Sequence, residues 1–484
     1  MSRKDRTVTA FLALSAFVLV ALCSMSSPLY PLNIWGDANC LLTVGRTMKS
    51  GAVLYRDIYE QKGPTLYLAH MLAAFVSEKS FLGVYLMEGL GFTAFLLAAE
   101  RLLRRRLKQL SPALAVLCGA LILVSGTFVR GDSAEEFCLP LAMAALCLAD
   151  GEALTGRAPM SRRALFGIGV LAGAVATVKF TLLGVFLGLC LAEGVSALSK
   201  GGLSRALASA ACFLAGFFIP VLLWALYFAA NGALKDALAA YVVNNIFCYA
   251  GEGRFGAADW IAFLKSSGWW AVPALAGVLA FAADRREGAA ARLGVLAGFA
   301  IQLLAVVLPG RVWQYSLMAL APYTVYGALW AGRLLEEKLA VCLSGRSGAA
   351  AGIAALLSLA LGVFATPNAF LRGVPAGELA QYRLAAMIEP GSSLLQYKFL
   401  DDGLYLTSGI LPQEKYFVLL NVDLPEMKRE LDRAVEEGEP DYVLTVYDAL
   451  PERFARYRLI ATDVGYLDNN KPNKEFYLYR RMAE

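Results

Sequence analysis

The chain has 484 residues, of which 58% are hydrophobic and 17% charged, with a mean hydropathy of +0.56. A soluble domain carries about a quarter charged residues, and several apolar runs here reach the roughly 20 residues needed to cross hydrocarbon. These features exclude a soluble globular protein and specify a polytopic α-helical membrane protein.

Charge is unevenly divided. From Thr366 onward 14 Lys/Arg face 19 Asp/Glu, a net −5, which leaves +10 for the residues before it. Basic residues of that first part crowd its loops, the expected topology signal, and no nucleic-acid partner is needed to explain them. The nine cysteines have no C-x-x-C spacing and read as small packing residues, while a single histidine, His70, excludes a histidine-rich metal site.

Arg3-Lys4-Asp5-Arg6 precedes an apolar run to about Cys23. Leu22 stands where a lipoprotein signal wants a small residue, so the run reads as an uncleaved first span from a cytoplasmic N-terminus. The chain then enters an external loop, 27–80, whose stretch Asn33–Leu68 is polar, aromatic and dense in charge. Asp37 opens a short helix that Gly51 ends, and Asp57, Glu60 and Lys62-Gly63-Pro64 follow. Residues 65–77 are apolar but short for a span and predict an interfacial helix. Counting them as a span would put Arg101, Arg104, Arg105, Arg106 and Lys108 outside, against the positive-inside rule.

Further spans are expected at 81–100 and 111–129, the latter leading out to Arg130-Gly131-Asp132-Ser133-Ala134-Glu135-Glu136, with a return by Ala149. As one helix, residues 164–198 would extend about 52 Å. Both flanks are basic, so a hairpin of two short spans is expected, with Lys179 at its outer tip. A span at 206–229 leads to a second external loop, 230–266, containing Tyr241, Asn244, Asn245, Tyr249, Glu252, Arg254 and Trp260. Spans at 267–283, 292–308, 314–331 and 349–365 bring the total to about eleven and leave Arg311 outside.

Beyond Thr366 hydropathy collapses. Strand-like runs Leu394–Phe399, Lys415–Val422, Tyr442–Val446 and Phe476–Tyr479, with helical spacing over Pro425–Glu437, predict an extracytoplasmic α/β domain at 366–484 after a transmembrane domain at 1–365. No GxGxxG, Walker loop or sustained repeat occurs.

Two stretches carry a resemblance. Gly51–Pro64, GAVLYRDIYEQKGP, leads into a short apolar segment, and Glu135-Glu136-Phe137-Cys138-Leu139-Pro140 follows the third expected span. They resemble the GxxxYxDxYExKGP and EExxLP elements of GT-C membrane glycosyltransferases. The layout is similar to aminoarabinose transferases and protein O-mannosyltransferases, and closer still to uncharacterised bacterial members. The resemblance covers about the first 150 residues; the rest shares only the layout.

It implies an integral-membrane enzyme of the plasma membrane and cell envelope. Such enzymes transfer a sugar, with inversion, from a polyprenyl-phosphate-linked donor to a glycan, lipid or protein acceptor at the outer face. That chemistry needs a carboxylate to take the acceptor's proton and fixed positive charge for the departing phosphate. By resemblance Asp37 is the base, although an Asp there also suits a helix N-cap. Lys62 matches the phosphate-binding lysine, against the alternative of snorkelling at the interface. Lys179, Arg254, Arg130 and Arg311 are the other external cations suited to a phosphate.

Asp57 and Glu60 stand near enough in sequence to join Asp37 around a divalent metal ion. Aminoarabinose transferases, however, have glutamate directly before the lysine, where this chain has Gln61. Glu135 and Glu136 suit orienting the acceptor or Arg130, or simply a solvated helix start. Glu88, inside a span, is either functional or a hydrogen-bonded packing residue, and His70 reads as interfacial packing. The alternatives are a polyprenyl-linked glycan flippase or transporter, a wall-polymer polymerase or ligase, and a non-catalytic relative.

Overall fold

The computed structural model describes residues 3–150, 159–248, 256–309, 313–338, 346–468 and 471–483. Eight helices open the chain: α1 (Arg3–Cys23), α2 (Gly36–Lys49), α3 (Pro64–Val76), α4 (Leu82–Arg104), α5 (Ser111–Leu123), α6 (Ala134–Asp150), α7 (Arg162–Lys179) and α8 (Gly184–Ala230). Helices Ala257–Ala283, Ala289–Val307, Thr324–Lys338 and Ser347–Phe364 follow. Among the described residues seven helices are long and apolar enough to cross a membrane. Leucines and aromatics such as Leu14, Leu90, Leu222, Trp269 and Phe364 stay exposed on them, which is the surface a multi-pass protein turns toward lipid.

The expected turn near Lys179 is present. α7 ends there, a 3₁₀ turn spans Phe180–Leu182, and α8 starts at Gly184. Forty-seven residues of α8 would make a rod of about 70 Å, but Gly202 interrupts it at φ 67°, a conformation glycine adopts without a Cβ clash. The second half of α8 then packs hard on α7. A Cβ on Gly169 or Gly173 would lie 2.1 or 2.2 Å from the carbonyl oxygens of Phe213 or Phe217. Small residues permit this close approach where water cannot drive helices together.

Several expectations shift. α5 stops at Leu123 instead of running to 129, because the chain turns through Val129 and Asp132, both at positive φ (54° and 67°). The run read as a span from 314 opens as a 3₁₀ segment, Gln314–Tyr323, with Pro322 near its end and an α-helix only from Thr324; proline offers no N–H to an α-helical ladder. The described part of the segment expected as a second external loop is largely helical, with Leu234–Ala237, a π turn at Leu238–Val243 and Asn244–Phe247, and the next long helix starts at Ala257. Arg254 and Arg311, two expected phosphate ligands, lie outside the described residues, as do Tyr249 and Glu252.

The C-terminal part holds a four-stranded sheet, β1 (Leu394–Gln396), β2 (Tyr442–Val446), β3 (Tyr457–Asp468) and β4 (Lys471–Arg481), in the order β1-β2-β4-β3. β1 and β2 run parallel and the other neighbours antiparallel. A parallel pair needs a crossover, which helix Pro425–Glu437 supplies. It buries Met427, Leu431, Ala434 and Val435 and ends at Gly438, φ 73°. The expected strand at Lys415–Val422 is absent; these residues form an irregular strap that meets Tyr59 instead of joining the sheet.

The strap and the residues after β1 grip the membrane part. The Tyr59 N–H donates to the Lys415 carbonyl at 2.8 Å. On α2, Thr43 Oγ1 donates to Asp401 Oδ2 at 2.6 Å and Arg46 Nη1 to the Tyr405 carbonyl at 3.0 Å. Gln396 Nε2 and the Gly403 N–H donate to the other oxygen of Asp401. α2 is thereby held from both sides, by α3 and by the C-terminal part.

Candidate active site

α2 begins at Gly36, with Trp35 in extended conformation before it. Its start is fastened by Asn39, whose Nδ2 donates to the carbonyls of Asn33 (2.7 Å) and Trp35 (2.9 Å). Asp37 therefore lies inside the first turn and does not serve as the N-cap. Its carboxylate keeps the favourable interaction of an anion with a helix N-terminus and turns to Lys62, whose Nζ is 3.5 Å from Oδ1.

Lys62 comes from the loop before α3. Glu60 accepts from Lys62 twice, from the backbone N–H (Oε2, 2.8 Å) and from Nζ (Oε1, 3.0 Å). The Tyr55 hydroxyl donates to the Lys62 carbonyl at 2.6 Å. The next residue, Gly63, donates its N–H to the Val178 carbonyl at 2.9 Å. A Cβ there would lie 2.2 Å from the Thr177 carbonyl oxygen, so only glycine lets this loop reach the end of α7. Pro64 follows as the first residue of α3, where its missing N–H is harmless. Burial pulls the Lys62 ammonium toward lower pKa, but Asp37 and Glu60 outweigh it and hold the group above the ordinary lysine value.

The contact of Gly63 with α7 brings Lys179 to the same place. Its Nζ donates to Glu135 Oε1 at 2.7 Å and lies 5.5 Å from the Tyr315 ring, which packs edge-on to Trp35 at 5.2 Å. Asp37, Lys62, Glu135, Lys179 and Tyr315 line one cavity of about 430 Å³. Its wall combines polar residues, Asp37, Gln61, Lys62, Glu135, Lys179, Asn245 and Asn421, with apolar ones such as Val306, Leu308 and Trp313, the mixture that a long apolar chain bearing an anionic headgroup requires.

Five expected residues thus converge: Asp37, Glu60, Lys62, Glu135 and Lys179. Others do not. Asp57 is half exposed, paired with Arg56 at 2.7 Å and accepting from the Val53 N–H. Arg130 is buried, donates to Asn368 Oδ1 at 2.9 Å and lies over the Phe370 ring; it is absent from the cavity wall. Lys62 stands between Asp37 and Glu60, its ammonium 3.5 and 3.0 Å from their carboxylate oxygens. Among the described residues no group of three or more His, Cys, Asp and Glu could hold an ion.

Glu88 and Glu136 belong to a second, buried polar cluster. Both accept from the Asp132 N–H at 2.8 Å, and Ser24 Oγ lies 2.8–2.9 Å from both oxygens of Glu88. His70, expected as interfacial packing, is fully buried, with Nδ1 2.8 Å from the Leu66 carbonyl and Nε2 2.8 Å from Asp132 Oδ1. Burial lowers the imidazole's pKa, but Asp132 more than offsets this and the net direction is upward.

Sequence reasoning did not single out Tyr315, Trp313 or Asn421 for the cavity wall. Asn421 was hidden inside a run of strand-like composition, Tyr315 in an expected span, and Trp313 just before that span.

The whole chain shares its fold with two solved structures of ArnT, an aminoarabinose transferase, from Cupriavidus metallidurans. One, bound to undecaprenyl phosphate, matches at a TM-score of 0.60 and 14% identity over 99% of this chain and 98% of that one. The other, in the apo state, matches at 0.61 with the same identity and coverage. No protein family and no curated protein sequence matches the chain.

Proposed function

We propose that this chain is a GT-C-type glycosyltransferase that moves a sugar from a polyprenyl-phosphate donor to an acceptor hydroxyl. The observation that carries the reading is the pairing of Asp37 with Lys62, 3.5 Å apart in the wall of one cavity. That cavity sits in a fold shared with a transferase solved with undecaprenyl phosphate bound.

Asp37 takes the proton as the acceptor oxygen attacks the anomeric carbon, and the bond from that carbon to the phosphate oxygen breaks. Attack opposite the leaving group inverts the centre. The electron pair stays on the phosphate, where Lys62 and Lys179 balance the charge. Lys62 also holds Asp37 in place before the substrate arrives. The prenyl chain runs along Val306 and Leu308. In this reading the N-terminus is cytoplasmic, about eleven spans cross the membrane, α3 lies at the outer interface, and residues 366–484 form an external domain that covers the site.

The test is transfer in proteoliposomes with a panel of radiolabelled polyprenyl-phosphate sugars and envelope acceptors. Asp37→Asn should lower transfer by about 10²–10⁴-fold, the usual worth of a positioned base, while carrier binding persists. Lys62→Ala should weaken carrier binding and transfer together. Wild-type transfer by Asp37→Asn would remove the base assignment, and lipid movement without transfer would put a flippase in its place.

A further inference from the structure

The buried cluster around Asp132 joins the turn before α6 to α1, α3 and α4. One N–H, that of Asp132, is shared by Glu88 Oε1 and Glu136 Oε2, each 2.8 Å away. Oxygens that share one N–H lie close together, and two adjacent carboxylates out of water cannot both stay ionised. Glu88 is 4% exposed and Glu136 6%. Donors are also scarce around them. Ser24 Oγ reaches Glu88 and His70 Nε2 reaches Asp132 Oδ1, while Glu136 Oε1 and Asp132 Oδ2 have no hydrogen-bond partner within the protein. Buried acceptors call for a donor, and a proton on one glutamate is the smallest group that supplies it.

α6 connects this cluster to the cavity. Its first turn is fastened by Ser133 Oγ, which accepts from the Glu136 N–H at 3.0 Å. Consecutive helix residues point to different sides, so Glu136 lies beside Glu88 of α4 while Glu135 faces α7. There Glu135 accepts from Lys179 Nζ at 2.7 Å, in the cavity wall. A shift of Glu136 therefore carries Glu135 with it, and Lys179 after that.

We propose that Glu88 and Glu136 share a single proton and together act as a positioning pair for Glu135 and Lys179. With the proton in place one glutamate donates to the other, and the turn at Asp132 closes on both. Without it two buried anions repel, and the start of α6 moves off α4. Ser24 faces the pair from just past the end of α1, Tyr85 from one turn earlier on α4, and Asp132 from the turn, with His70 of α3 behind Asp132. Lys62 and Asp37 act on Asp132 from the cavity side, and Arg130, two residues before it, has its guanidinium on Asn368 and Phe370. The consequence for carrier binding rests on the transferase reading above; the shared proton does not.

Infrared difference spectra of the purified full chain read the proton directly. At neutral pH wild type should show a carboxylic-acid C=O band that is missing from Glu88→Gln and from Glu136→Gln. If both variants keep every acid band of wild type, the proton is not shared and the proposal falls. Equilibrium binding of radiolabelled polyprenyl phosphate against pH reads the positioning. Wild type should lose carrier affinity reversibly, by about tenfold or more, as the proton leaves between pH 7 and about 10. Glu88→Gln, whose amide still donates to Glu136 but does not titrate, should bind as wild type does at neutral pH and keep that affinity in alkali. Glu88→Leu, with no donor, should bind weakly at every pH. A Glu88→Gln profile that falls in alkali as steeply as wild type would overturn the positioning role. If wild type binds no carrier at any pH, the transferase reading falls, and the acid band alone upholds or overturns the shared proton.

Discussion

At the scale of the residue, Lys62 faces two carboxylates, Asp37 and Glu60, and Lys179 faces one, Glu135. The folded pKa of Lys62 lies above its ordinary value, so its contribution is complete below that value and is lost only in strong alkali. Any alkaline loss of activity between pH 7 and about 10 should therefore persist in a Lys62→Arg variant that still binds carrier, as a pH–rate profile would show. His70 behaves differently. Its folded pKa is raised above the ordinary imidazole value, so its pairing with Asp132 stabilises fully below that value and fades as pH climbs through the folded one. The melting-temperature gap between wild type and His70→Gln should be widest in mild acid and narrow toward alkaline pH, measured in detergent. A gap independent of pH would mean that the imidazole stays neutral.

At the scale of the element, the reach of the Lys62 loop and the packing of the α7–α8 hairpin both depend on glycine. Gly63→Ala drives a Cβ into the Thr177 carbonyl and must push the loop off α7, separating Lys62 from Lys179. Carrier affinity should drop more than stability does, by about tenfold or more. Gly173→Ala, against the Phe217 carbonyl at 2.2 Å, should lower stability by about 1–3 kcal/mol, read as a lower melting temperature with the site's substrate preference intact. The hairpin itself was legible because basic flanks on both sides and excess length leave a single helix no consistent topology. Its inner end was legible too, since the break at Gly202 falls between the spans expected at 164–198 and 206–229.

At the scale of the whole molecule, α2 connects the two parts. It presents Asp37 at its first turn and meets Asp401 through Thr43 one and a half turns later. Thr43→Val removes one hydrogen bond to a buried carboxylate and should cost about 1.5–3 kcal/mol. It should also lower transfer while carrier binding, which depends on Lys62 and Lys179, changes less. Equal losses in both would show that α2 is not what couples the C-terminal part to Asp37.

The sequence by itself determined the membrane class, the hairpin with Lys179 at its tip, the early acidic-basic loop with Asp37, Glu60 and Lys62, and the acidic pair that includes Glu135. Those features rest on hydropathy, on charge asymmetry and on short motifs, all of which are local. Tertiary structure alone decided that Arg130 and Glu136 turn away from the cavity, that His70 pairs with Asp132, and that Asn421 reaches the site from more than 350 residues away from Asp37 and Lys62. Whether a cation meets a phosphate or an asparagine depends on which backbone lies opposite, and no pattern within one segment records its neighbour across the fold.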